Sequence, residues 1–337
     1  MIYKRISNES IFFHSENIEL IFAMVGVLNG DNKYPIYEQT YSKEFITYIK
    51  QKYCFLYSLH QQMKDFGGGL LEAIMQLEVQ SESLDVIEEK VRALDKWLFI
   101  HYFFGGDGEL TDFEKAYKED TIVDLYNSSE HFTKYVPFLV FNIIFKQTEQ
   151  VINDLFLCVR EFNTVEFNEV MVKYREGFQT ELAITEKGLL ELPPLEYSEK
   201  LMGKTFYRRG PYRDFSFMPS VFTPHKVMRY MDKIQILFYS MIDTSFDVKD
   251  LTKVLKVISD ETRFRIIMIL SKEGPIIGKD LAARLHIATS TLSHHMEQLY
   301  SIGLVNEERV KNSKYYSINT IMKESIMNKL MEVLKTE

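Results

Sequence analysis

One stretch, ISDETRFRIIMILSKEGPIIGKDLAARLHIATSTLSHHMEQLYSIGLV at 258–305, constrains the fold more than any other part of the chain. Its apolar residues recur at three- and four-residue spacing in three short runs, the pattern of amphipathic helices. Ser259 or Asp260 stands at the cap position before ETRFRIIMILS, in which Phe264, Ile267, Met268 and Leu270 are expected to face inward. Gly274-Pro275 ends that helix. GKDLAARL forms the next and TSTLSHHMEQLYSI the third, closed by Gly303 as a C-terminal cap. LVNEERV and KYYSI then alternate around KNS and predict a hairpin. Short helices at 251–258 and 322–334 flank the whole.

Charge and aromatic content both shift where this region starts. Residues 247–337 hold 14 Lys and Arg against 12 Asp and Glu, a net of +2, within a chain of 40 against 48 and net charge −8. Only four aromatic residues lie there (Phe264, Tyr300, Tyr315 and Tyr316) out of 25 Phe, 20 Tyr and 1 Trp. These shifts place a domain boundary near 243–250 and divide the chain into 1–246 and 247–337.

The first 190 residues read mostly as helices, at 17–28, 42–63, 69–79, 83–103, 110–127, 133–160 and 165–189. A β-containing subregion is expected at about 203–242, where a Gly-Pro turn at 210–211 is flanked by alternating aromatics such as Phe215 and Phe217. IQILFYSMI at 234–242 reads as a strand or a short helix. The fold class expected is therefore mainly α: a helical N-terminal domain with a small β element, then a small C-terminal domain of short helices and a hairpin. No run of about 18 uncharged apolar residues spans a bilayer, and MIYKRISNES lacks the apolar core of a signal peptide, so the expected location is cytoplasmic. Cys54 and Cys158 belong to no paired motif and read as buried, inert thiols.

Helix, tight turn, helix and hairpin make the winged helix-turn-helix arrangement, whose second helix enters the major groove of double-stranded DNA. Leu292, Met296 and Leu299 define the buried side of that helix. At about 100° per residue, Ser290, His294, Glu297 and Gln298 fall opposite and His295 falls at the border. His294 is thus expected outward, and His295 half-buried and donating to a carbonyl or neighbouring side chain. Adjacent helical residues diverge too far for the two histidines to chelate one metal. Thr289, Ser290, Thr291, Ser293, His294 and Gln298 are the expected DNA-contacting residues of the helix. Arg309, Lys311 and Lys314 of the wing are expected on phosphates.

The segments ISDETRFRIIMIL, GKDLAARL, STLSHHMEQLYSIGLV and KYYSI resemble, in the same order, the DNA-binding domain of ArsR-type transcription regulators over roughly 250–335. The resemblance implies a homodimeric repressor paired through its first and last helices, with Met322, Ile326, Leu330 and Leu334 as an apolar seam. Metal-sensing members carry cysteines on the third helix, or Asp and His on the last. Here GPIIGKDL and TIMKESIMNKLMEVLKTE offer neither, so no cofactor and no metal are expected at those sites. Any signal, from a small molecule or a protein, is assigned to the long N-terminal domain. Lys204, Arg208, Arg209 and Arg213 read as an exposed turn rather than as a site for an anionic ligand or DNA backbone. No nucleophile elbow, P-loop, dinucleotide fingerprint or metal quartet points to an enzyme. The alternative reading is a winged helix that binds protein without sequence-specific DNA binding.

Overall fold

The computed structural model of the chain describes residues 1–30, 35–106, 108–203, 212–223, 227–231, 234–241, 248–310 and 313–334. The fold is mainly α, and its contacts cluster into two units: Met1–Thr185 with Ser216–Ile242, and Glu186–Phe215 with Asp243–Glu337. Residues 186–215 thus fall with the C-terminal residues, whereas the composition shift places a single cut at 246. Composition follows local sequence, but the helix Pro194–Met202 packs on the last helix of the chain, Thr320–Leu334. Among the described residues no helix is long and apolar enough to cross a membrane.

The C-terminal unit contains the expected series: helices Val248–Ile258, Glu261–Glu273, Gly278–Leu285 and Thr289–Ser301, then a strand pair and the helix Thr320–Leu334. Its small antiparallel sheet joins Val305–Val310 and Ser313–Ile318 through the register Val305↔Ile318 to Val310↔Ser313. The short strand Ile276–Ile277 adds on the other side of Ser313–Ile318. Leu251, Val254, Ile266, Leu270, Leu281, Leu292, Met296, Leu299 and Ile326 form the core. Two expectations fail here. Phe264 and Met268 are exposed, at 53% and 46% of their surface, because Ile266 and Leu270 mark the core side and residues two positions away lie on the opposite one. The seam on the last helix is largely spent inside the unit: Ile326 is buried and Met322 and Leu330 pack on the core, which leaves Met327, Met331, Val333 and Leu334 exposed.

The other unit wraps short helices around aromatic side chains. Ring contacts run from Phe66 through Phe103 and Phe104 to Phe141 and Phe145. Several helices that read as continuous are broken. The stretch 42–63 splits at Tyr53 into Lys43–Lys52 and Cys54–Gln62. The stretch 133–160 falls within Glu130–Tyr135, Phe138–Lys146 and Thr148–Glu161, with Pro137 between the first two. Apolar spacing persists across each break because both pieces bury the same side against one core.

Sequence reading missed a β-hairpin at the start of the chain. Ile2–Arg5 and Ser10–His14 pair antiparallel and join Asp214–Ser220, Val227–Met231 and Ile234–Ser240 in one five-stranded sheet. Strands of four and five residues are too short for alternation to distinguish them from helix. Cys54 is exposed, contrary to expectation, while Cys158 is buried and burial pushes its thiol pKa up.

Two buried polar residues anchor this unit. Glu19 lies fully buried in the first helix, Glu16–Asn29. Its carboxylate accepts from Ser220 Oγ at 2.8 Å, Val221 N at 3.0 Å and Phe222 N at 3.0 Å, with His14 Nε2 3.3 Å away. These bonds satisfy backbone N–H groups where the strand Asp214–Ser220 ends, the condition under which a carboxylate can be buried.

His60 is the second anchor. Gly67 N donates to its Nε2 at 3.1 Å, which assigns the proton to Nδ1, 2.9 Å from Asn29 Oδ1. Burial pushes the imidazole down to about 3 from an ordinary 6.5. The unfolded chain therefore binds this proton first as pH falls below 6.5, and the folded state loses stability through that window. Between pH 7.5 and pH 5 the loss from this group is about 2 kcal/mol. Thermal melts of wild type and His60→Gln at the two pH values check this. The variant melts lower at pH 7.5 and loses distinctly less on acidification; equal losses refute the assignment.

Candidate nucleic-acid interface

The helix Thr289–Ser301 is held by one side only. Leu292, Met296 and Leu299 are buried, at 2%, 3% and 0% exposure. That rotation leaves Thr289, Ser290, Thr291, Ser293 and His294 exposed and Gln298 half-buried, so none of the six residues read from the sequence is buried. Ser293 turns its hydroxyl back onto Thr289 O at 3.0 Å, which leaves its oxygen as an acceptor. The cap position is Ala288, whose side chain cannot accept a hydrogen bond. The N–H groups of the first turn therefore have no side-chain cap and suit an anion such as a phosphate.

The turn before this helix is three residues long, and His286 sits in it at φ 55°. That left-handed conformation lets His286 N donate to Ala283 O and Ile287 N to Ala282 O, closing the preceding helix and starting the next within one turn. Asn or Gly is the usual choice at such a position.

The two histidines diverge as their spacing predicts. His294 is exposed, and His295 has a side chain 14% exposed. His295 does not reach a carbonyl: its nearest polar partner is Asp260 Oδ1, 3.7 Å from Nδ1, beyond hydrogen-bond range. Asp260 is the N-cap of the helix Glu261–Glu273, accepting from Arg263 N at 2.9 Å. That backbone bond, together with the Arg263 and His295 charges, holds its carboxyl below the usual carboxylate range. Arg263 Nε in turn donates to Val257 O at 2.5 Å. Asp260 and Arg263 thus fix the corner between the first two helices, and His295 approaches that corner from the candidate DNA-contacting helix. No group of three His, Cys, Asp or Glu able to hold a metal ion occurs among the described residues.

On the wing, Lys314 is described together with its counterion: Nζ lies 3.0 Å from Glu307 Oε2. Glu307 faces Tyr316 across the strands and Lys314 faces Arg309, so the pair is diagonal. The pairing register that brings these two charges together was not readable from the sequence. Lys311 lies outside the described residues, as does the side chain of Arg309. Between helix and wing is a cavity of about 430 Å³, lined among others by Ser293, Glu297, Tyr300, Glu307 and Lys314. Of the basic cluster upstream, Arg213 pairs with Asp214 at 2.6 Å, and Lys204, Arg208 and Arg209 lie outside the described residues.

Comparison with known proteins gives the same region a family. The model of the bacterial regulatory protein arsR family matches residues 260–307, from the capping Asp260 into the wing. A cadmium resistance transcriptional regulatory protein CadC homolog of Staphylococcus aureus is 36% identical over 70 residues, 21% of this chain and 58% of that protein. The arsenical resistance operon repressor of Staphylococcus aureus is 33% identical over 82 residues, 24% of this chain and 78% of that protein. The transcriptional repressor SdpR of Bacillus subtilis is 30% identical over 84 residues, 25% of this chain and 92% of that protein. The chain thus spans little more than half of the first of these relatives and most of the other two, always with about a quarter of its own length. On this likeness, the chain belongs to the arsR family of bacterial regulatory proteins.

Proposed function

We propose that this chain is a transcription regulator that binds double-stranded DNA as a homodimer and represses, with its N-terminal unit receiving the signal. The observation that carries the reading is the one-sided burial of the helix Thr289–Ser301, which presents small hydroxyl side chains, His294 and an uncapped first turn together. Thr289, Ser290, Thr291, Ser293, His294 and Gln298 contact bases and phosphates, and Arg309, Lys311 and Lys314 contact backbone. The relatives named as repressors support the direction of the effect. The exposed apolar residues Met327, Met331 and Leu334 on the last helix support self-association. Residues 247–337 contain no cysteine, so a thiolate metal sensor is not proposed.

A second reading has its own support. Glu297 and Glu307 line the hollow between helix and wing, and Glu307 already neutralises Lys314. Acidic groups there oppose phosphate and suit a protein partner. Salt dependence separates the readings: a DNA-binding surface loses affinity steeply as salt rises, in proportion to the phosphates neutralised.

Footprinting on the DNA upstream of the protein's own coding region, followed by titration of the protected duplex, tests the proposal. His294→Ala weakens binding to that duplex by about 1–3 kcal/mol and binding to random duplex much less, because base edges are read only in the specific complex. Equal losses on both duplexes would show that His294 reads no base.

Glu307→Gln does the reverse. It frees Lys314 for phosphate, strengthens binding to both duplexes alike, and steepens the slope of log affinity against log salt by about one contact per subunit. An unchanged slope means that Lys314 does not reach DNA.

A further inference from the structure

The C-terminal unit holds an element that the arsR family match at 260–307 does not include. The helix Val165–Glu191 ends within this unit, and the helix Pro194–Met202 folds back beside that end. The two close tightly: a Cβ placed on Gly188 would meet the Tyr197 ring at 2.1 Å, so only glycine admits the ring there. Tyr197 and Ser198 are buried. Pro194–Met202 lies against Thr320–Leu334.

This helical hairpin ends on one atom with two partners. Gly203 caps Pro194–Met202 in the left-handed conformation, at φ 65°, with its own N–H turned back to Glu199 O and Lys200 O. Its carbonyl oxygen accepts from Thr320 N at 3.1 Å, at the start of the last helix, and from Asn306 Nδ2 at 3.1 Å, on the first wing strand. The surroundings are equally connected. Asn319 N donates to Leu304 O at 2.9 Å, and Asn319 Oδ1 accepts from Met322 N at 3.2 Å. Leu304 N donates to Leu299 O at 3.1 Å, closing the end of the candidate DNA-contacting helix. The entry to the wing, its exit into the last helix and the end of residues 186–203 therefore meet at the Gly203 carbonyl.

We infer that residues 186–203 are a positioning element for the wing, acting through the bond from Asn306 to Gly203, so that displacing this hairpin lowers DNA affinity without touching a DNA-contacting residue. Asn306 is a positioning residue. Its neighbour Glu307 faces the hollow beside the candidate DNA-contacting helix, whereas its own side chain goes to Gly203. A carbonyl with two donors loses one when Asn306 is removed and keeps the other, so the wing loosens while the unit stays folded. The functional half of this inference rests on the DNA-binding reading above; the structural half does not.

The test uses the full chain with Asn306→Ala and, independently, Gly188→Ala, which forces the Tyr197 ring away and shifts the hairpin from its other end. Hydrogen exchange is measured first, without DNA. The expected result is faster exchange at 304–318 and 194–203 in both variants, with the amides of 292–299 unchanged. Unchanged exchange at the wing in both variants overturns the inference whatever the DNA result. Affinity for the footprinted duplex is then measured for Asn306→Ala, Lys314→Ala and the double variant. A loss of about fivefold for Asn306→Ala is expected, matching one neutral hydrogen bond. The double variant should lose less than the product of the single losses, because Asn306 acts through the same wing that carries Lys314. Fully multiplicative losses overturn the coupling. Wild-type protein that binds no duplex, while the exchange result holds, removes the DNA-binding reading and leaves the brace itself standing.

Discussion

The burial of Leu292, Met296 and Leu299 sets the rotation of one 13-residue helix, and every surface feature of the C-terminal unit depends on it. A helix turned by one residue, about 100°, would carry His294 to the border of the core and bring His295 out. A polar corner lies beside the apolar contact. Asp260 caps one helix, Arg263 ties that cap to the end of the helix before it, and His295 comes to 3.7 Å from the same carboxylate. The corner that orients the first two helices of the unit is therefore also the place where the candidate DNA-contacting helix is referenced to them. A polar corner of this kind contributes specificity of arrangement more than net stability, since each partner loses hydration on forming it.

Electrostatics explains how a chain of net charge −8 can carry a DNA-binding surface. The acidic excess lies before residue 247, and the remainder is close to neutral at +2. Little net positive charge is then available there to neutralise phosphate, and Lys314 is already paired with Glu307. A surface of this kind leans on hydrogen bonding from small side chains and from the helix N-terminus, which is local and directional, more than on long-range attraction. The uncapped first turn at Ala288 fits that balance: a capping side chain there would occupy the N–H groups that an anion could otherwise use.

Legibility in the sequence followed the length of the physical signal. The C-terminal helices read within a few residues because each is a single short period bounded by Asp260, Gly274-Pro275 and Gly303, residues that act locally. The N-terminal unit was legible as helical and aromatic-cored but not in its breaks, since Tyr53 interrupts the backbone without interrupting the apolar stripe. The opening hairpin was illegible because strands of four and five residues show too little alternation, and the next strand beside it in the sheet, Asp214–Ser220, lies some 200 residues further along the chain. Within the candidate site, the direction of His294 and His295 followed from angles alone. The Lys314–Glu307 pair did not, because it depends on cross-strand register. Phe264 and Met268 mislead in the opposite way: their hydropathy points inward, but they lie two residues from Ile266, on the other side of the helix.

Those exposed side chains bear on how the C-terminal unit is completed. Phe264 and Met268 are one turn apart on Glu261–Glu273, and Met327, Met331 and Leu334 form a stripe on Thr320–Leu334. The last helix has two apolar sides. One is covered within the chain, by the core at Ile326 and by Pro194–Met202, and the other is not. Covering one side in cis commits the last helix to its place, and among the described residues Met327, Met331, Val333 and Leu334 remain exposed on it. Pre-ordering that helix removes part of the conformational entropy that association would otherwise cost. Residues 186–203 then act at two places from one position: the Gly203 carbonyl accepts from the wing and from the start of the last helix, and Pro194–Met202 packs along that helix.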